Sequence, residues 1–503
     1  MSNQTVMLRE RVKLPPSAAM IDSYYRPNVT RSTHILFGLE LWIHVAHARM
    51  LGRQGIVAGA DVGRILGTLL ELRAAGPDAL AVDYTQEDLY SYTERFVIGR
   101  LGPEVGGRMH TGRSRNDLHT TSWRMALRQS LLEVVDGLLA LRRTALDLAD
   151  RHADTVMPGY THTQHAQPIS LGYYMLSLAD LLGRDFERLS HALDHVDRCP
   201  LGSGALTTTA FPIDRAFTAE ALGFGGLVEV AYDGVSCRDD AHEAAAALAL
   251  LMTNLSRLAT DLQSWSTAEY RFIELGDQHS AVSSIMPQKK NPAALEHTKA
   301  AAGMVTGALV AALSCTKNTS LSDVNDGVSA INEPVLDAAL RTRRILVLIA
   351  EVLEAVTVFP DVMRRSAEVG FGTATELADV IVRETGLSFR MAHNIVATAV
   401  RETIEAGRTA LDISAGDLRR IGLNLFGDPI DLDERVVREA LDPGHNIRIR
   451  TIVGGPAPDN VRAMVARRRQ HLDGDAAAIK AVADRIEGAR ERTFAAARAD
   501  LAA

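Results

Sequence analysis

The chain has 503 residues, which at ~150 residues per domain suggests about three domains or one large elongated unit. Lys plus Arg number 54 against 62 for Asp plus Glu, and the net charge of −8 argues against a general binder of nucleic acid or anionic membrane. The three cysteines (Cys199, Cys237, Cys315) exclude a disulfide scaffold, show no Cys-x-x-Cys metal spacing and fit a reducing, cytoplasmic compartment.

Aromatic residues make up 5% of the chain, while Ala, Leu, Arg and Val crowd it, a mix that favours an all-α fold. The N-terminal stretch has no apolar core of signal-peptide type. Residues 1–116 read as short helices around Gly- and Pro-rich turns. Five long helical patterns follow, over about 117–152, 169–197, 240–265, 292–317 and 334–357. In the third, Leu248, Leu251, Met252, Leu255, Ala259 and Leu262 keep the 3-4 spacing of one face. In the fifth, Ile345, Leu348, Ile349, Val352 and Val356 do the same. Helices of about 25–35 residues, roughly 40–50 Å long, cannot bury their faces in a small domain. They imply a long bundle, and apolar residues on more than one face imply a partner subunit. The uncharged stretch 300–316 is too short and too rich in Gly, Ser and Thr for a membrane span, so it reads as a bundle helix buried on all sides.

Met157-Pro158-Gly159, Cys199 to Gly204 and the polar run 317–332 break the helices sharply. Boundaries are placed near 116 and 360: an N-terminal helical domain (1–116), a central bundle (117–359), a C-terminal domain of shorter helices (360–472), and a solvated Ala- and Arg-rich helical tail (473–503).

Three polar segments carry the chemistry. In His110-Thr-Gly-Arg-Ser-Arg-Asn-Asp117, Arg113, Arg115, Ser114 and Asn116 stand just before a helix, where free N–H groups favour anions. A bare cap needs only Ser114 or Asn116; the guanidinium groups point to a carboxylate site. In Tyr160-Thr-His-Thr-Gln-His-Ala-Gln-Pro168, His162 and His165 lack a third ligand for zinc. Thr161, Gln164 and Gln167 make the loop polar instead, and His162 suits acid/base work near neutral pH. The third segment, 281–292, holds Ser283, Ser284, Met286, Lys289, Lys290 and Asn291 before a helix that opens with Glu296. Two lysines alone would be a weak basic patch and would leave the hydroxyls unexplained.

Val282-Ser-Ser-Ile-Met-Pro-Gln-Lys-Lys-Asn-Pro292 resembles the signature loop of the fumarase/aspartase superfamily. Gly106 to Asp117, Met157 to His162 with Gln167-Pro168, Pro200 to Ala205, Pro212 to Arg215 and Ile452 to Pro458 are similar to the argininosuccinate lyase branch, which includes the delta-crystallins. The resemblance runs in order from about 40 to 470. It implies a three-domain helical protein whose five-helix bundles join into a homotetramer, with each site shared by three subunits. It also implies β-elimination of fumarate from an N-substituted aspartate, with no cofactor and no metal. Ser283 would be the base, Lys289 and Asn291 would stabilise the aci-carboxylate, and His162 with Glu296 would serve the leaving amine. Arg113, Ser114, Asn116, Thr161, Gln167, Arg238, Ser284 and Met286 would hold the substrate.

The sequence departs from this family where the amino-acid end is gripped. His44 replaces a Ser, Tyr90 a His, Val324 a Tyr, Ser329 a Gln and Asn332 a Lys; Val282 and Cys237 also differ. Argininosuccinate is the default substrate. The alternatives are another N-succinyl amine, such as ethylenediamine disuccinate, or a silent crystallin-like protein, against which the intact Ser283, Lys289, His162 and Glu296 argue.

Overall fold

A computed structural model describes residues 14–501. Its centre is a bundle of five long helices: α4 (Arg115–Arg151), α5 (Leu171–Val196), α6 (Asp239–Trp265), α7 (Ala293–Thr316) and α8 (Asn332–Ala355). These fall within two residues of the expected patterns. At 1.5 Å per residue, α4 is about 55 Å long. Its start is set by a capping box in which the Ser114 hydroxyl accepts the Asn116 N–H and Asp117 accepts the Ser114 N–H. Ser170 caps α5 more simply, its hydroxyl accepting the Tyr173 N–H at 3.0 Å. Ala244, Ala245, Ala247 and Ala249 of α6 are buried, and their small side chains let α6 lie close to its neighbours.

The region before the bundle is less fragmented than its Gly content suggests. It contains α1 (Arg26–Arg53), α2 (Gly59–Ala75) and α3 (Leu89–Leu101). The 28-residue α1 packs against α4 and buries Leu36, Leu41, Ile43, Val45 and Leu51. Tertiary burial thus overrides the cost of Gly38 and Gly52 in a helix interior.

Between Pro360 and Arg448 short helices build a second apolar cluster, from Leu377 to Leu441, separate from the main core. The chain ends in one unbroken helix, α9 (Pro458–Ala499). The expected solvated tail is therefore half packed: Ile479, Ala489, Thr493, Phe494 and Ala497 are buried against the bundle and the N-terminal helices. Arginines set its register. Arg468 holds Asp180 with two bonds of 2.7 and 2.9 Å, and Arg469 spans Asp147 and Asp150. Arg485 reaches Asp197, which also takes the buried Arg128 at 2.8 Å.

Helix α7 also departs from expectation. By length and composition alone it passes for a membrane span, yet it packs between α6 and α8. It is not buried on all sides within the chain, because Met304, Val310 and Leu313 stand open. Leu250 of α6 and Val347 of α8 are also exposed.

Candidate active site

The three polar segments occupy three kinds of local structure. The first opens α4. The second is the hairpin β1 (Val156–Thr161) and β2 (Gln164–Ser170), whose two-residue turn is His162 and Thr163. Both turn residues have positive φ, +52° and +59°, the geometry of a type I′ turn usually filled by Asn and Gly. Such strain in ordinary residues concentrates at functional positions. A β-bulge at Ala166 and Gln167, opposite Gly159, bends the hairpin, and a Cβ on Gly159 would meet the Gln167 carbonyl oxygen at 2.5 Å. Thr161, His162 and Gln167 are all exposed.

The third segment is a shorter hairpin, β3 (Ala281–Val282) and β4 (Lys290–Asn291), joined by the signature loop. Lys290 ties it down through Glu274 at 2.9 Å and Asp277 at 2.7 Å. Lys289 is exposed and makes no ion pair with any described residue. Ser283 is half-buried at the start of the loop, and its Oγ accepts the N–H groups of Met286 at 3.0 Å and Ile285 at 3.4 Å. Ser284, Met286 and Lys289 are exposed, Asn291 is half-buried, and Glu296 lies in the first turn of α7. Among the described residues no hydrogen bond or ion pair links His162 to Glu296, Ser283 or Asn116. One chain therefore presents these groups on separate elements: His162 in the first hairpin turn, Ser283 in the signature loop, Glu296 in the first turn of α7 and Asn116 at the start of α4.

What one chain does assemble is a cavity of about 260 Å³ beside the start of α4. Asn116, Arg115 and His119 line one wall, Glu87 and Asp88 another, Glu40 of α1 a third, and Asp323, Asn325 and Ser329 close it. Arg115 Nη1 binds both Glu87 and Asp88, the latter at 2.8 Å. Glu40 is 2% exposed, and its Oε2 has no partner in the protein. Burial pushes its carboxyl up to about 8, Asp88 adds to the shift and Arg113 opposes it.

Arg113 does not line this cavity. It is buried behind it, where Nη2 meets His44 Nδ1 at 2.9 Å and the guanidinium lies 5.9 Å from the Tyr90 ring centre. A donor at Nη2 requires His44 to be neutral with its proton on Nε2. Burial and the Arg113 charge hold His44 well below the usual imidazole value. Tyr90 donates to Glu94 at 2.5 Å. The unusual residues His44 and Tyr90 therefore form a buried layer that supports the segment bearing Asn116.

Arg238 is also buried. It donates to the Val328 carbonyl at 2.9 Å and lies 3.6 Å from Asp240, so it braces the loop that closes the cavity. Asp117, pushed up to about 6 by burial, accepts the N–H groups of Gly202 and Gly204 at 2.9 Å and ties the first segment to the Gly-rich 200–204 loop. The cavity role of Glu87, Asp88 and His119 was not legible from motif chemistry. Their sequence signal is a charged cluster on short elements that meet only in three dimensions.

Residues 32–307 match the family described as lyase, and residues 371–448 match the argininosuccinate lyase C-terminal region. The chain is 39% identical over 465 residues to argininosuccinate lyase 1 of Shouchella clausii, covering 92% of this chain and 93% of that one. It is 40% identical over 457 residues to argininosuccinate lyase of Methanosarcina mazei, covering 91% of each. Among solved structures, EDDS lyase in complex with formate superposes with a TM-score of 0.86 at 31% identity, over 96% of this chain and 95% of that one. The chain belongs to the argininosuccinate lyase family of the fumarase/aspartase superfamily, a family of carbon–nitrogen lyases.

Proposed function

We propose that the protein releases fumarate from an N-substituted L-aspartate, with argininosuccinate as the substrate that its curated relatives support. The observation that carries this reading is the Ser283 hydroxyl with two backbone N–H groups aimed at its oxygen. A serine is a poor base unless its alkoxide is stabilised, and N–H donors fixed in place supply that stabilisation. The alkoxide takes the proton from the carbon next to one carboxylate. Lys289 and Asn291 face the charge that builds on that carboxylate as its aci-form. The electron pair then forms the C=C bond of fumarate, the C–N bond breaks, and His162, backed by Glu296, gives a proton to the departing amine. Arg113, Ser114, Asn116, Thr161, Gln167, Arg238, Ser284 and Met286 position the succinyl half, with Arg113 and Arg238 acting from behind.

The assembly is read as a homotetramer whose sites are shared between subunits. Its support is the open apolar surface of α6, α7 and α8 and the separation of the three segments within one chain. The same reading makes the protein soluble and cytoplasmic, with units divided near 116 and 360.

A second reading, another N-succinyl amine, is favoured by one observation. The wall at Asp323 to Ser329 supplies no cation, and the neighbouring Asn332 is 4% exposed with its Oδ1 unpartnered. Fumarate absorbance with purified protein tests both readings. Release from argininosuccinate above all other N-substituted aspartates supports the first, and release only from others supports the second. No release from any of them overturns the lyase assignment.

A further inference from the structure

The inference rests on the reading of the cavity as the end of the site that holds the leaving amine, and it deepens the second substrate reading. The walls carry four carboxylates, Glu40, Glu87, Asp88 and Asp323, against one guanidinium, Arg115. Arg115 is already shared between Glu87 and Asp88. His119 lies 3.7 Å from Asp88, the same acid. Arg238 is taken up by Val328 and Asp240. Arg113 faces His44 behind the wall. Two carboxylates, Glu40 and Asp323, are thus left without a bound cation. Glu40 is almost fully buried and lines the cavity with an unpartnered oxygen. Burial and Asp88 hold the Glu40 carboxyl mostly in its neutral form, against the partial support of Arg113, and an incoming cation would favour its ionised form and pair with it. A ligand carboxylate placed there would face an excess of like charge, since Arg115 and His119 are already turned to Glu87 and Asp88 and Val324, Ser329 and Asn332 offer no further cation.

We propose that the leaving amine carries two positive charges and no carboxylate, as in a diamine or a guanidinoalkylamine, and that Glu40 is the specificity-determining residue that holds its distal cation. The substrate is then the N-(1,2-dicarboxyethyl) derivative of such an amine. The elimination itself is unchanged, since only the group left on nitrogen differs.

The test runs the reaction towards addition and follows loss of fumarate absorbance. Agmatine and arginine differ only in the α-carboxylate, so they isolate the proposed feature, with putrescine and ethylenediamine as further probes. The expected result is a kcat/KM for agmatine at least ~10-fold above that for arginine, with Glu40→Gln removing most of that ratio. Arginine equal to or better than agmatine would overturn the proposal, as would an unchanged ratio in Glu40→Gln. If Glu40→Gln fails to fold, Asp323→Asn, at an exposed position, must lower the same ratio, and an unchanged ratio there overturns the proposal. If no amine consumes fumarate and no N-substituted aspartate releases it, the failure belongs to the lyase reading.

Discussion

The Oγ of Ser283 accepts the backbone N–H of Met286 at 3.0 Å, so the signature loop folds back onto the hydroxyl proposed as the base. The bond favours the alkoxide over the neutral hydroxyl, because an N–H donor gains most from a full negative charge. Ser283→Ala is expected to lower turnover by at least ~10³-fold, in the range of losses seen when a catalytic proton acceptor is removed. Helicity and melting temperature should stay unchanged, because the loop is exposed. More than a few per cent of residual turnover in a well-folded variant would rule out this base.

Because His162 and Ser283 stand on separate hairpins, a shared site makes a specific demand. His162→Asn and Ser283→Ala are each expected to be inactive alone. When the two are unfolded and refolded together, mixed tetramers should regain a measurable fraction of wild-type activity, since some sites then contain neither change. Absence of recovery after native mass spectrometry has shown mixed subunits would exclude sharing.

Glu40 links the cavity to stability. Its folded carboxyl sits at about 8 against the usual 4.5, so folding takes up a proton between those values. This contribution is complete below 4.5 and is lost as the pH rises to about 8. The buried histidines His44, His47 and His110 are lowered, so they act on stability only below their usual value of 6.5. From pH 6.5 to 8 the wild type is therefore expected to lose about 2 kcal/mol per chain, at ~1.4 kcal/mol per pH unit. Glu40→Gln should be nearly flat over that window. Denaturant midpoints at pH 6.5, 7.25 and 8 measure it, and parallel curves for the two proteins would contradict the burial argument.

The hairpin bearing Thr161 and His162 rests on the short turn at Phe371–Thr373. A Cβ at Gly372 would collide with the Ala166 carbonyl oxygen, and one at Gly370 with the His165 ring. Gly372→Ala should lower stability by ~1–3 kcal/mol and reduce kcat several-fold by displacing His162. Thermal unfolding and steady-state kinetics check both effects, and wild-type values for both would show that the contact yields freely.

The five bundle helices could be read from the sequence because each carries its own 3-4 apolar spacing and its own stop: Pro158-Gly159 after α4 and Pro200 to Gly204 after α5. The signature loop was legible for a different reason. Its serines, lysines and amide are contiguous, so the pattern survives without any knowledge of what they face. Helix α1 was not legible, because Gly38 and Gly52 weaken its local signal and only packing against α4 restores it. The tail misled for the opposite reason: its surface is charged, but Arg485 within it is held by Asp197, as Arg468 and Arg469 just before it in α9 are held by Asp180, Asp147 and Asp150, whose positions no local pattern reveals.

The sequence by itself determined the helical class, the order of the segments and the family to which its signature loop belongs, because each of these is encoded in neighbours along the chain. Only the tertiary structure decided that Glu40, Glu87, Asp88 and Asp323 meet around one cavity while Arg113 turns away behind it to His44. Charge balance in a site depends on which side chains share a space and which are already paired, and that is a property of distances between elements far apart in sequence.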